Sequence, residues 1–234
     1  MADLAFSDET LAVDGVGLRC CAGGSGPAIV ALPGAGGFRL TRLHELLART
    51  HRMIALGVPG FGDVPTESTL AAASDFAALF NRAVGALGLE RNHLLAHGLG
   101  AGIALSMALA RPEPVESIVL LAPMAIRPQR PADAPRHELA ERLRCEFAGA
   151  GFESALRALR VPVLSLFGTE DCLSPPASAR HYRTGLPIGY IAMVYDAGHR
   201  LEAERPEAIK SLTADFLERG ERFIVSKNTG LINP

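Results

Sequence analysis

The stretch His93-Leu94-Leu95-Ala96-His97-Gly98-Leu99-Gly100-Ala101-Gly102 decides how this chain folds. Short apolar residues run into a glycine-rich turn. Ile103-Ala104-Leu105-Ser106-Met107-Ala108-Leu109-Ala110 follows as good helix sequence, and Pro112 stops it. The pattern reads as buried strand, sharp turn, helix. Similar units flank it. Ala28-Ile29-Val30-Ala31-Leu32 is a continuous apolar run, as expected of a strand covered on both faces, and Pro33-Gly34-Ala35-Gly36-Gly37 breaks it. Further strands are expected at 53–56, 115–121, 161–167 and 190–195. Helices are expected near 40–49, 71–87, 177–184 and 205–220, and a β-hairpin over 10–21 around the turn Asp14-Gly15. Strands alternating with helices imply right-handed crossovers, hence a mostly parallel sheet with helices on both faces.

A chain of 234 residues fits one domain, and 48% hydrophobic residues suffice for a buried core. The net charge of −2 gives no reason to expect a nucleic acid or an anionic membrane as partner. No apolar run approaches the roughly 18 residues of a membrane span. Met1-Ala2-Asp3-Leu4-Ala5-Phe6 has neither a basic nor a long apolar region, so no signal peptide is expected. Cys20, Cys21, Cys145 and Cys172 show no metal spacing, and the adjacent pair would point to opposite faces of a strand. Reduced thiols and a cytoplasmic location are the expectation. No metal or phosphate-binding motif is present, and no cofactor is expected.

The strand-turn-helix at Gly98 resembles the nucleophile elbow of the α/β-hydrolase family, with Ala96, Gly100 and Ala101 at its small positions. Other motifs follow in the family's order. Pro33-Gly34-Ala35-Gly36-Gly37-Phe38 resembles its oxyanion loop, and Val58-Pro59-Gly60-Phe61-Gly62 its x-Pro-Gly-x-Gly turn. Gly168-Thr169-Glu170-Asp171 resembles its acid motif, and Asp196-Ala197-Gly198-His199 its histidine loop. The chain departs from the pattern at Gly57, where the family usually has Asp, and above all at Gly98, which stands where the nucleophile belongs. The resemblance implies an α/β-hydrolase core over 1–123 and 161–220, with a short lid over 124–160. A tail over 221–234 follows.

It also implies a site. Loops at the C-terminal ends of parallel strands converge on one edge. There Asp171 would orient His199 as a general base, and the backbone N–H groups of Ala35 and Leu99 would form the oxyanion hole. Glu170 is the alternative acid. His97 is assigned to packing or bonding beside the elbow. His44, His51, His93, His137 and His181 are assigned to the surface or to packing. Ser106 is a poor substitute nucleophile, lying well past the elbow on the helix. The lid arginines Arg127, Arg130, Arg136, Arg142 and Arg144, interleaved with Asp133, Glu138, Glu141 and Glu146, read as solvated faces. Two functions stay open at this point. One is hydrolysis of a small, largely apolar carbonyl or ester compound by an Asp171–His199 dyad. The other is a non-catalytic protein that binds a small molecule or a protein partner. In the tail, Phe223-Ile224-Val225 and Leu231-Ile232 suggest a docked segment, on its own domain or across a two-fold axis in a homodimer.

Overall fold

The computed structural model describes residues 5–126, 137–220 and 222. An eight-stranded sheet runs in the order β1-β2-β4-β3-β5-β6-β7-β8. The strands are β1 (Ser7–Val13), β2 (Val16–Gly23), β3 (Ala28–Leu32) and β4 (Arg52–Leu56), then β5 (Asn92–His97), β6 (Val115–Leu121), β7 (Val163–Gly168) and β8 (Gly189–Val194). The first two form the expected hairpin, longer than its alternation suggested, around Asp14 and Gly15 at φ 50° and 83°. β2 meets β4 antiparallel, and every pair from β4 to β8 is parallel.

Strand alternation sorts the core into two layers. Val30, Leu32, Leu94, Ala96, Ile118 and Leu120 face one side of the sheet. Ile29, Ala31, Met53, Ala55, Leu95 and Leu121 face the other. The adjacent cysteines obey the same rule: Cys20 joins the first layer and Cys21 the second. Burial with the Asp8 carboxylate nearby pushes the Cys21 thiol up to about 11, so it behaves as packing rather than as a nucleophile.

The first face is covered by α2 (Ala73–Ala86), α3 (Gly100–Ala110), α4 (Glu138–Phe147), α5 (Ala150–Leu156) and α6 (Ala179–Gly185). Apolar nearly all round, α3 is buried on all sides, as its composition requires. In α2 the Asp75 carboxylate accepts from the N–H groups of Ala71 and Ala72, satisfying donors that the first turn leaves over. The second face carries α1 (Arg42–Leu47), α7 (Leu201–Glu204) and α8 (Pro206–Arg219). Proline opens α8, and Gly220 at φ 53° closes it. Neither α5 nor α7 was expected from the sequence, and α1 is shorter than expected. All three are too short for a hydrophobic period to register.

Helix α4 sits against α3 through Gly102. A Cβ at that glycine would lie 2.2 Å from Cε2 of the buried Phe147 ring. The absence of a side chain thus lets the helix after β6 lie directly over the helix that carries the elbow. The Tyr182 hydroxyl, in α6, accepts from the N–H groups of Ala125 (2.7 Å) and Ile126 (3.0 Å) and fixes the start of the same segment. Arg127, Arg130, Asp133 and Arg136, like the apolar pairs of the tail, lie outside the described residues. Among the described residues no helix is long and apolar enough to cross a membrane.

Candidate active site

Gly98 follows β5 directly and has φ 52°, a left-handed backbone that costs other residues about 1–2 kcal/mol. The turn is tied down at both ends. The N–H of Gly98 donates to the Leu121 carbonyl at 3.0 Å, and its own carbonyl accepts from Met124 N–H at 2.9 Å. The elbow is therefore anchored to the end of β6 as well as to its own helix.

The acid follows β7. One oxygen of the buried Asp171 carboxylate accepts from the N–H groups of Leu173 (2.7 Å) and Ser174 (2.9 Å). The other lies 2.9 Å from His199 Nδ1. A carboxylate accepts, so Nδ1 carries the proton and Nε2 presents a lone pair. That lone pair faces the elbow: a Cβ built on Gly98 would lie 3.6 Å from His199 Nε2 and 3.6 Å from Gly34 Cα, both ordinary contacts. Glu170 is exposed and its N–H bonds to the Ala197 carbonyl, so Asp171 is the residue paired with the histidine. Ser106 Oγ donates to the Gly102 carbonyl within α3.

His97 ties three pieces together. Its Nε2 donates to the His199 carbonyl at 2.9 Å, the two rings stand 4.7 Å apart, and its Nδ1 lies 2.6 Å from where a Gly34 side chain would begin. The ring is wedged between the glycine loop after β3 and the histidine loop after β8. Burial keeps its pKa below the ordinary imidazole value. The bonding assignment made from sequence holds, and its partner is the backbone of His199.

Gly34, His97, Gly98 and His199 line one cavity of about 820 Å³, together with Ala35, Leu99, Met124, His137, Ala140, Arg144 and Leu173, and Asp171 sits buried behind His199. Two assignments are corrected here. His44, half-buried, lines this cavity rather than acting as a surface or mere packing residue; His137 lines it as well while remaining exposed, as expected of a surface residue. The reason is local: each histidine forms a helix-start bond that aims its ring. His137 Nδ1 accepts from Ala140 N–H at 3.3 Å, and His44 Nδ1 accepts from Thr41 N–H at 3.1 Å. Arg144 also lines the cavity, beside Glu141 at 2.5 Å, so it is more than a solvated face. Glu202, on the unexpected α7, is a further wall residue with no sequence signal beyond its place three residues after His199.

The buried imidazoles predict a stability profile. Burial holds His44 down to about 4 from 6.5, and burial likewise lowers His51, His93 and His97. The folded values lie below the unfolded one, so the unfolded chain binds the extra protons in between. Stability is complete above pH 6.5 and falls as pH drops toward 4, with His44 contributing at most about 3 kcal/mol. Urea unfolding across that window should show a falling midpoint, and His44→Gln should flatten the slope. A midpoint that stays level would mean that these rings are not held neutral.

Parallel strands whose C-terminal loops bring an elbow, an acid and a histidine around one cavity define an α/β-hydrolase architecture. A family model described as alpha/beta hydrolase fold matches residues 27–190, and the chain belongs to that family. It is 30% identical over 128 residues to the dihydrolipoyllysine-residue acetyltransferase component of the acetoin cleaving system of Cupriavidus necator, matching 52% of this chain. The chain spans 33% of that protein and 65% of the same component from Pseudomonas putida. It is 32% identical over 127 residues to a fluoroacetate dehalogenase from Burkholderia sp., covering 50% of this chain and 40% of the dehalogenase. The crystal structure of naproxen esterase from Bacillus subtilis superposes with a TM-score of 0.71 at 18% identity, covering 92% of each chain, a likeness of fold.

Proposed function

We propose that this protein hydrolyses small, largely apolar carbonyl or ester compounds through His199 and Asp171 acting on water, with no covalent enzyme intermediate. The observation that carries the reading is the distance between His199 Nε2 and the elbow: 3.6 Å to the point where a side chain at residue 98 would start. A nucleophilic oxygen fits in that space without being attached to the chain. In the proposed step, His199 Nε2 takes a proton from water as the water oxygen bonds to the carbonyl carbon. Asp171 stabilises the imidazolium that results. The oxyanion lies against the backbone N–H groups of Ala35 and Leu99. Collapse breaks the ester C–O bond, and the leaving alkoxide takes the proton back from His199, giving acid and alcohol. The esterase and dehalogenase among the similar proteins support a hydrolytic substrate class.

Gly98 itself supports a second reading, a pocket that binds without turnover. One set of assays separates the two. Purified protein should cleave p-nitrophenyl butyrate slowly, remain unlabelled by a fluorophosphonate, and lose the slow activity on His199→Ala. The oxyanion hole and binding alone sustain roughly 10³–10⁴ over water in a serine hydrolase stripped of its triad, so the native rate should lie above that floor and His199→Ala should fall to it. A rate unchanged by His199→Ala would favour the binding reading, and stoichiometric labelling of any serine would defeat both.

A further inference from the structure

The loop that carries His199 leaves β8 and passes over the end of β7 before α7 begins. Gly168 makes room for it: a Cβ there would lie 2.3 Å from the Ala197 carbonyl oxygen and 2.4 Å from that of Gly198. Backbone groups in such a loop need partners. The Asp196 N–H donates to Thr169 Oγ1 at 3.1 Å, and its carbonyl accepts from Arg205 Nε at 3.1 Å. The Ala197 carbonyl accepts from the Glu170 N–H at 2.9 Å, and the His199 carbonyl accepts from His97. The two N–H groups that flank His199 go to a single side chain. Gly198 N–H donates to Glu204 Oε2 at 2.6 Å, and Arg200 N–H donates to Glu204 Oε1 at 3.2 Å.

Helix capping explains only half of this arrangement. Arg200 precedes α7, and the Glu204 N–H donates back to the Arg200 carbonyl at 2.9 Å, so the pair closes the helix start much as a capping box does. A cap needs no bond to Gly198. Yet the shorter bond runs there, to the other side of the histidine and outside the helix. The carboxylate lies across residue 198, where a Cβ would stand 3.3 Å from Oε2 and 3.4 Å from Oε1. The peptide between residues 199 and 200 is held at both ends, its carbonyl by His97 and its N–H by Glu204. Backbone on either side of His199 is therefore fixed before the ring meets Asp171.

We infer that Glu204 is a positioning residue for His199: its carboxylate bridges the N–H groups before and after the histidine and so aims the ring between Asp171 and Gly98. The inference rests on the reading of His199 as the base. Glu204 acts through the backbone of the loop. Hydrogen bonds to a carboxylate are roughly twice as strong as neutral ones, which suits a short loop that has to stay in one place. Placement matters here because a reacting group displaced by about 1 Å can lose on the order of a hundredfold in rate. An amide at residue 204 has one acceptor oxygen and can serve only one of the two N–H groups, so glutamine gives an intermediate case.

The test reads the ring itself, by NMR of protein carrying isotope-labelled histidine in mildly alkaline buffer. The His199 signals are those that His199→Ala removes. In native protein they should report a proton on Nδ1 and a bare Nε2. Glu204→Ala should mix the two tautomers, and Glu204→Gln should do so in part. Turnover of p-nitrophenyl butyrate should fall about ten- to a hundredfold in kcat in Glu204→Ala, with KM unchanged. A residue that only caps α7 would lower the urea midpoint and leave both the ring signals and the kcat of the folded protein in place. That result would overturn the inference, as would a native ring already mixed between tautomers. Should native turnover prove independent of His199, the hydrolytic reading fails, and the ring signals of the Glu204 variants still decide whether this carboxylate holds the histidine.

Discussion

Gly98→Ser should turn this protein into an esterase that a fluorophosphonate labels at residue 98. The added Cβ meets nothing closer than 3.6 Å, so the side chain enters without displacing Gly34 or His199. One bond beyond that carbon, the hydroxyl comes within the roughly 2.6–3.2 Å at which His199 Nε2 can take its proton. Asp171 already holds His199 in the required tautomer. Turnover of p-nitrophenyl butyrate should rise by on the order of 10³-fold, given that loss of the serine costs about 10⁶ in a complete triad. Stability should move the other way. The residue must hold φ near 52°, at a cost of about 1–2 kcal/mol, which urea unfolding will detect. Burst kinetics with stoichiometric labelling would establish that the remaining machinery is in working geometry. A variant that folds, resists the probe and gains no rate would mean that His199 is not poised over the elbow in solution.

The route from sequence to this site is uneven, and the reasons are physical. The sheet was legible because buried parallel strands must be continuous apolar runs: Ala28–Leu32 and Val115–Leu121 stand at the boundaries expected of them. The pairing of Asp171 with His199 was legible through motif order, since loops after parallel strands have to meet. What was hidden depends on contacts between distant residues. The helical period cannot reveal four residues such as Leu201–Glu204, and nothing adjacent to Glu202 announces that it faces His97, whose ring belongs to a different strand end. One stretch of the cavity wall was hidden for another reason. Ala31 and Ala55 read as apolar filler in a strand, and only the sheet shows that two small side chains lie side by side in register between β3 and β4. A void is a property of neighbours, and a linear pattern of apolar residues does not carry it.

Asp171→Asn should separate orientation from folding more cleanly than any other change at this site. The carboxylate serves three donors: Leu173 N–H and Ser174 N–H on one oxygen, His199 Nδ1–H on the other. An amide has one acceptor oxygen and one donor group, so it cannot serve both sides. Turned with its NH₂ toward the two backbone N–H groups, it would leave buried donors facing a donor, at about 1–3 kcal/mol for each orphaned group. Turned the other way, it keeps both backbone bonds and presents NH₂ to His199. The second arrangement costs less and will be populated. His199 must then accept at Nδ1, which moves its proton to Nε2, the nitrogen that faces Gly98. A base with its lone pair pointed away from the reacting oxygen cannot take a proton, and in serine proteases the corresponding change lowers kcat about 10⁴-fold. The loss should therefore be large in the Gly98→Ser background and in the slow native reaction, while the urea midpoint moves little. Asp171→Ala should differ: it orphans both backbone donors and lowers the midpoint as well. An Asp171→Asn variant that kept its activity would show that His199 does not draw its tautomer from this carboxylate, and the dyad would have to be abandoned as the base.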